Sequence, residues 1–134
     1  MSKVWVDSHW VLRLLRGDHP QHSPRARAFL EQAEQGVYSL QISPVMLAET
    51  AAILTDAYGH PVKDVAEALL KLLTNPALQA QEESLVLAAL ELMKQKPLPF
   101  SVAYTVAQAK TSGQALAAYA SEYKGLGAAL VRVE

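Results

Sequence analysis

Cysteine is absent from this chain of 134 residues, and phenylalanine and tryptophan occur only twice each. With no thiol there can be no disulfide, thiolate nucleophile or zinc-thiolate centre, and a cytoplasmic chain fits that composition better than a secreted one. Long apolar runs are missing too: none approaches the roughly 18 residues of a membrane span, and no basic stretch followed by an apolar one opens the chain. The expectation is a chain with no membrane association. Nor is there an excess of one charge, since 12 basic residues face 13 acidic ones for a net charge of −1, which argues against a generic polyanion binder. What is abundant is alanine and leucine, within a hydrophobic fraction of 51%, the composition of packed helices. A chain of this length builds one domain, 1–134, with enough interior to stand without metal or disulfide staples.

The charge is unevenly placed. Residues 1–30 hold Lys3, Arg13, Arg16, Arg25 and Arg27 against Asp7 and Asp18, whereas the remainder holds seven basic residues against eleven acidic ones. His9, His19 and His22 add to the basic end. Strand and helix signals alternate along the chain. Lys3 to Val6 reads as a buried strand. Ser8 to Leu15 reads as a helix closed by Gly17, and a second helix begins near Ser23 and Pro24. Val37 to Ile42 alternates as a strand, followed by a helix capped by Ser43, opened by Pro44 and stopped at Gly59. Pro61 to Leu73 and Glu83 to Gln95 are helical, Leu78 to Gln81 is a short strand, and Ser101 caps a helix to Thr111. Ala115 to Tyr119 and Ala128 to Val133 are the last strands. This alternation predicts an α/β fold, a mostly parallel sheet with helices on both faces.

Two segments carry a resemblance to a known family. KVWVDSHWVLRLLRGDHPQHSPRARAFLEQAEQG resembles the opening of a PIN domain, and ISPVMLAETAAIL resembles its second motif, a strand followed by a proline-started helix bearing a glutamate. The resemblance runs the length of the chain. It implies a three-layer α/β/α sandwich with a mostly parallel central sheet, and an ancestry among metal-dependent ribonucleases that includes the VapC-like toxins of toxin-antitoxin pairs. Such enzymes gather carboxylates around magnesium or manganese, hard cations that prefer oxygen ligands and neutralise the repulsion between neighbouring acids. Carried onto this chain, the first acid is Asp7 and the second Glu49. At the third, Pro99 and Val102 stand where the family has aspartates. At the fourth, Ala120 replaces one aspartate and Glu122 holds the other place, while His9 occupies the usual asparagine position. The resemblance therefore implies a degenerate acidic site of Asp7 and Glu49, with Glu122 as a third member, binding Mg2+ or Mn2+ weakly.

Each residue also has a plainer account. Asp7 after a strand reads equally as a helix N-cap, Glu49 as a solvated side chain, and Glu122 as a surface or capping residue. His9, Arg13 and Arg16 recur at i, i+4 and i+7, which puts them on one helix face suited to phosphate or, alternatively, to water. Leu69, Leu72 and Leu73 form a stripe for the core or for an oligomer contact. Three functions follow as expectations: a degenerate PIN-like protein binding RNA or a protein partner such as an antitoxin, with weak or absent nuclease activity; a metal-dependent endoribonuclease, a toxin by lineage; or a non-catalytic homo-oligomeric module.

Overall fold

The computed structural model describes residues 2–119 and 121–133. Strand β1 (Ser2–Trp5) leads through helices α1 (Ser8–Arg16) and α2 (His22–Glu34) to β2 (Tyr38–Ile42). Helix α3 (Pro44–Ala52) widens into a π-helical turn, Ile53–Ala57, and α4 (Val62–Leu72) returns the chain to β3 (Leu78–Ala80). Helices α5 (Glu83–Gln95) and α6 (Phe100–Ser112) pack on each other, and β4 (Leu116–Ala118), a 3-10 turn at Ser121–Tyr123 and β5 (Leu130–Arg132) complete the described chain.

The strands do not form one sheet. β1, β2 and β3 pair in parallel in that order, and β4 and β5 make a separate parallel pair. The central sheet is thus narrower than the alternation of elements predicts. Its register separates two unlike faces. Val4, Leu40 and Leu78 lie abreast, as do Ile42 and Ala80, and these residues enter the main core with Val6 and Tyr38. The opposite face carries Lys3, Trp5, Ser39, Gln41 and Gln79. On it Lys3 and Gln79 are exposed, Ser39 and Gln41 half-buried, and Trp5 is 58% exposed.

Chain direction accounts for this asymmetry. Two successive steps, β1 to β2 and β2 to β3, move the same way across the sheet, and right-handed crossovers then bring both connections onto one face. Buried apolar residues of α1, α3, α4 and α5, together with Ala33 of α2 and Phe100 and Ala103 of α6, accordingly share a single cluster with the inner strand face. The leucine stripe of α4 belongs to it: Leu69 is fully buried, Leu72 nearly so, and Leu73 packs against its edge.

A second, smaller cluster joins Leu98, Val102, Val106 and Leu126, with Leu116, Tyr123 and Ala128 against it. It fastens the C-terminal segment to α6. Val102 is 6% exposed, so its side chain is a packing element here. A carboxylate at this position, as the family resemblance would have it, would be buried among the aliphatic side chains of Leu98, Val106 and Leu126. Ala120, another position where the resemblance expects an aspartate, lies outside the described residues. Val102→Asp is expected to lower stability by more than about 3 kcal/mol in chemical denaturation. A loss below about 1 kcal/mol would show that this cluster does not hold the segment.

Candidate anion-binding cleft between two helices

Asp7 sits two residues past β1, and its job is visible in the backbone. Its φ of −105° and ψ of 175° are extended, and Oδ1 accepts the Trp10 N–H at 3.0 Å, an N-cap on α1. Gly17, at φ 64°, ends the helix by donating its N–H to the Arg13 carbonyl at 3.2 Å, a left-handed position that glycine adopts without strain. Glu49 projects from the exposed side of α3, six residues past the cap Ser43, or about 9 Å along the axis. Glu122 lies in the 3-10 turn of the C-terminal segment and is exposed. Among the described residues, no three histidine, aspartate or glutamate side chains assemble as a metal-holding group. Asp7, Glu49 and Glu122 are therefore not gathered into such a group of three, and none of them lines either of the clefts that flank α1. Val102, engaged in packing, adds no oxygen ligand to them.

The basic residues come together instead. A cleft of about 440 Å³ between α1 and α2 is lined by His9, Trp10, Arg13, His22, Arg25 and Ala26. Local bonds fix its two walls. The Ser23 hydroxyl donates to the Arg13 carbonyl at 2.8 Å, and the Trp10 indole donates to the Ala26 carbonyl at 3.2 Å. Trp10 meets Phe29 edge-on at 6.1 Å, and Phe29 packs on Tyr38 at 5.0 Å, which anchors both helices to β2. Neither Arg13 nor Arg25 is in a salt bridge with a described carboxylate. Two uncompensated guanidiniums, two imidazoles and the positive end of α2 converge on one cleft.

His19 completes the entrance to α2. Its Nδ1 accepts the backbone N–H groups of His22 at 2.9 Å and Gln21 at 3.2 Å, so a side chain does the capping that Gln21, the residue before the helix, does not. The imidazole rings of His19 and His22 lie 4.2 Å apart. Partial burial and then the positive charges of His22 and Arg13 hold the His19 pKa below its usual 6.5, with Asp18 pulling weakly the other way. Cations already crowd this entrance, and an anion would relieve them.

Sequence spacing placed Arg16 on the same face as His9 and Arg13, and the fold separates it. Its guanidinium donates to Asp18 Oδ2 from Nε at 3.2 Å and Nη2 at 2.8 Å, and its centre stacks 3.7 Å over the Tyr58 ring. Arg16 thus lines a different cleft. His22 and Arg25 take its place. They stand i, i+3 at the start of α2, a spacing visible in the sequence once the helix is known to begin at His22. Searches against protein-family models and against curated proteins match nothing to this chain.

Two measurements check this geometry. Asp7→Ala is expected to cost about 1 kcal/mol through the lost cap and Asp7→Asn much less, in thermal denaturation; equal effects would give the carboxylate charge another role. In imidazole NMR titration, His19 should protonate below 6.5. Because the folded value is the lower one, the stabilisation it carries is present above the unfolded pKa and is lost as pH falls through the folded one.

Proposed function

We propose that this chain is a degenerate PIN-domain protein that binds RNA through the cleft between α1 and α2, with metal-dependent nuclease activity weak or lost. The observation that carries the reading is the convergence of His9, Arg13, His22 and Arg25 on one cleft, with neither arginine in a salt bridge to a described carboxylate. RNA is the polyanion suited to it. A single patch within a chain of net charge −1 can grip a few phosphates while the rest of the surface discourages indiscriminate binding. The dispersed acids support the other half of the proposal, since Asp7 caps a helix and Val102 is packed where a ligand would be needed.

A three-layer PIN-like arrangement would require cover on the open face of the central sheet. Trp5, exposed there on an edge strand, favours a second reading in which a protein, an antitoxin or another copy of the chain, supplies that cover. Under the toxin lineage both partners are compatible, because RNA and protein would use different faces.

Fluorescence anisotropy with single-stranded RNA over a range of salt tests the main reading. Arg13→Gln and Arg25→Gln should each weaken binding and flatten the slope of log affinity against log salt by about 0.7 for every phosphate that is no longer neutralised. Unchanged slopes would move the interface elsewhere. Efficient RNA cutting by the wild type with magnesium or manganese, abolished by Asp7→Asn, would overturn the degenerate reading in favour of a metal-dependent endoribonuclease.

A further inference from the structure

A second cleft, of about 310 Å³, opens on the other side of α1. Its floor is aliphatic, made by Leu15, Leu54, Val65 and Ala68, and its polar rim is Arg16, His60 and Asp64. Leu54 and Val65 are buried members of the core, so the floor is rigid. Arg16 is held along its edges and on one face. Two of its nitrogens reach Asp18, Nη1 lies 3.1 Å from His60 Nε2, and Tyr58 backs one face. A guanidinium has no acceptor, so His60 Nε2 must carry the lone pair in that contact.

The π-helical turn makes this arrangement. Tyr58 donates its N–H to the Ile53 carbonyl at 3.2 Å and His60 donates to Leu54 at 3.0 Å. The extra residue in the turn carries Tyr58 round to the guanidinium. Such turns are uncommon and recur at functional sites.

An arginine already paired with Asp18 has little charge to offer a phosphate, and an aliphatic floor repels one. What the cleft offers is a flat, immobilised guanidinium plane beside apolar surface, the surroundings in which a nucleobase stacks. The rim then selects among bases. A carboxylate only accepts hydrogen bonds, and guanine alone among the four presents two adjacent donors, N1–H and N2–H, to a pair of carboxylate oxygens. Adenine, cytosine and uracil each set an acceptor beside the donor. Asp64, exposed in the first turn of α4, is that acceptor. Arg13 and Arg16 are three residues apart on α1 and thus neighbours on its surface. The two clefts flank α1, so a strand crossing that helix from the first would bring the base of a nearby nucleotide to the second.

We propose that the cleft of Arg16, His60 and Asp64 is a nucleobase pocket that takes an unstacked guanine of single-stranded RNA, a specificity site that rests on the RNA-binding reading above. The probes are uridine-rich octamers of RNA with guanosine, inosine, adenosine or an abasic residue at one central position, and inorganic polyphosphate as a base-free anion. The intact chain is titrated with each by fluorescence anisotropy or competition. Guanosine RNA should bind about tenfold tighter than abasic RNA, in line with stacking of one base, and inosine, which lacks the N2 amine, should fall between. Asp64→Asn should abolish the preference of guanosine over adenosine while leaving abasic RNA unchanged. Tyr58→Leu should bring guanosine RNA to the abasic level. If abasic RNA binds as tightly as guanosine RNA, the pocket is wrong and the phosphate cleft stands. If no RNA binds above polyphosphate and Arg13→Gln changes nothing, both fall together.

Discussion

The constraint on which the rest of this structure depends is the direction in which the chain crosses its sheet. Steps from β1 to β2 to β3 advance the same way, so the connecting helices fall on one face and bury a single cluster against Val4, Val6, Leu40, Ile42, Leu78 and Ala80. An open parallel sheet forms a ligand crevice where strand order reverses, because there the loops part to opposite faces. The three-stranded sheet has no such reversal. Its carboxyl edge gives Asp7 a helix to cap, and the clefts open between helices.

Helix α1 divides those clefts. Buried Val11 and Leu12 seat it on the core, and its other surfaces meet α2 on one side and the corner after α3 on the other. Arg13 and Arg16, one turn apart, consequently meet different surroundings. Arg13 faces other cations and keeps its charge available. Arg16 is neutralised by Asp18 and flattened against Tyr58, and its value shifts from charge to shape. The same residue type thus serves two purposes according to what stands opposite.

Packing also explains why a valine suits position 102. A carboxylate persists at a helix start when a cation or solvent meets it, whereas Val102 is packed among Leu98, Val106 and Leu126. The position is part of the fastening between α6 and the C-terminal segment. Replacing that valine by an acid would trade a packed side chain for a buried charge, so this position is now tied to stability.

By itself, the sequence determined most elements of the fold and their kind. Ser43 and Pro44 opening α3, Asp7 and Gly17 bounding α1, Gly113 ending α6, and the alternation of Val37 to Ile42 are local signals, and local backbone chemistry obeys them. The basic character of α1 was legible for the same reason. Other features depended on residues distant in the chain. The π-helical turn has no sequence mark, because it is stabilised by what packs around it. Neither the separation of β4 and β5 from the central sheet nor the burial of Val102 is a local property. His22 and Arg25 looked like loop and helix surface until α2 was stapled to α1 through Ser23 and Trp10. Spacing along a helix states which side chains share a face, and only the neighbouring element decides whether that face meets a cation, a carboxylate or an aromatic ring.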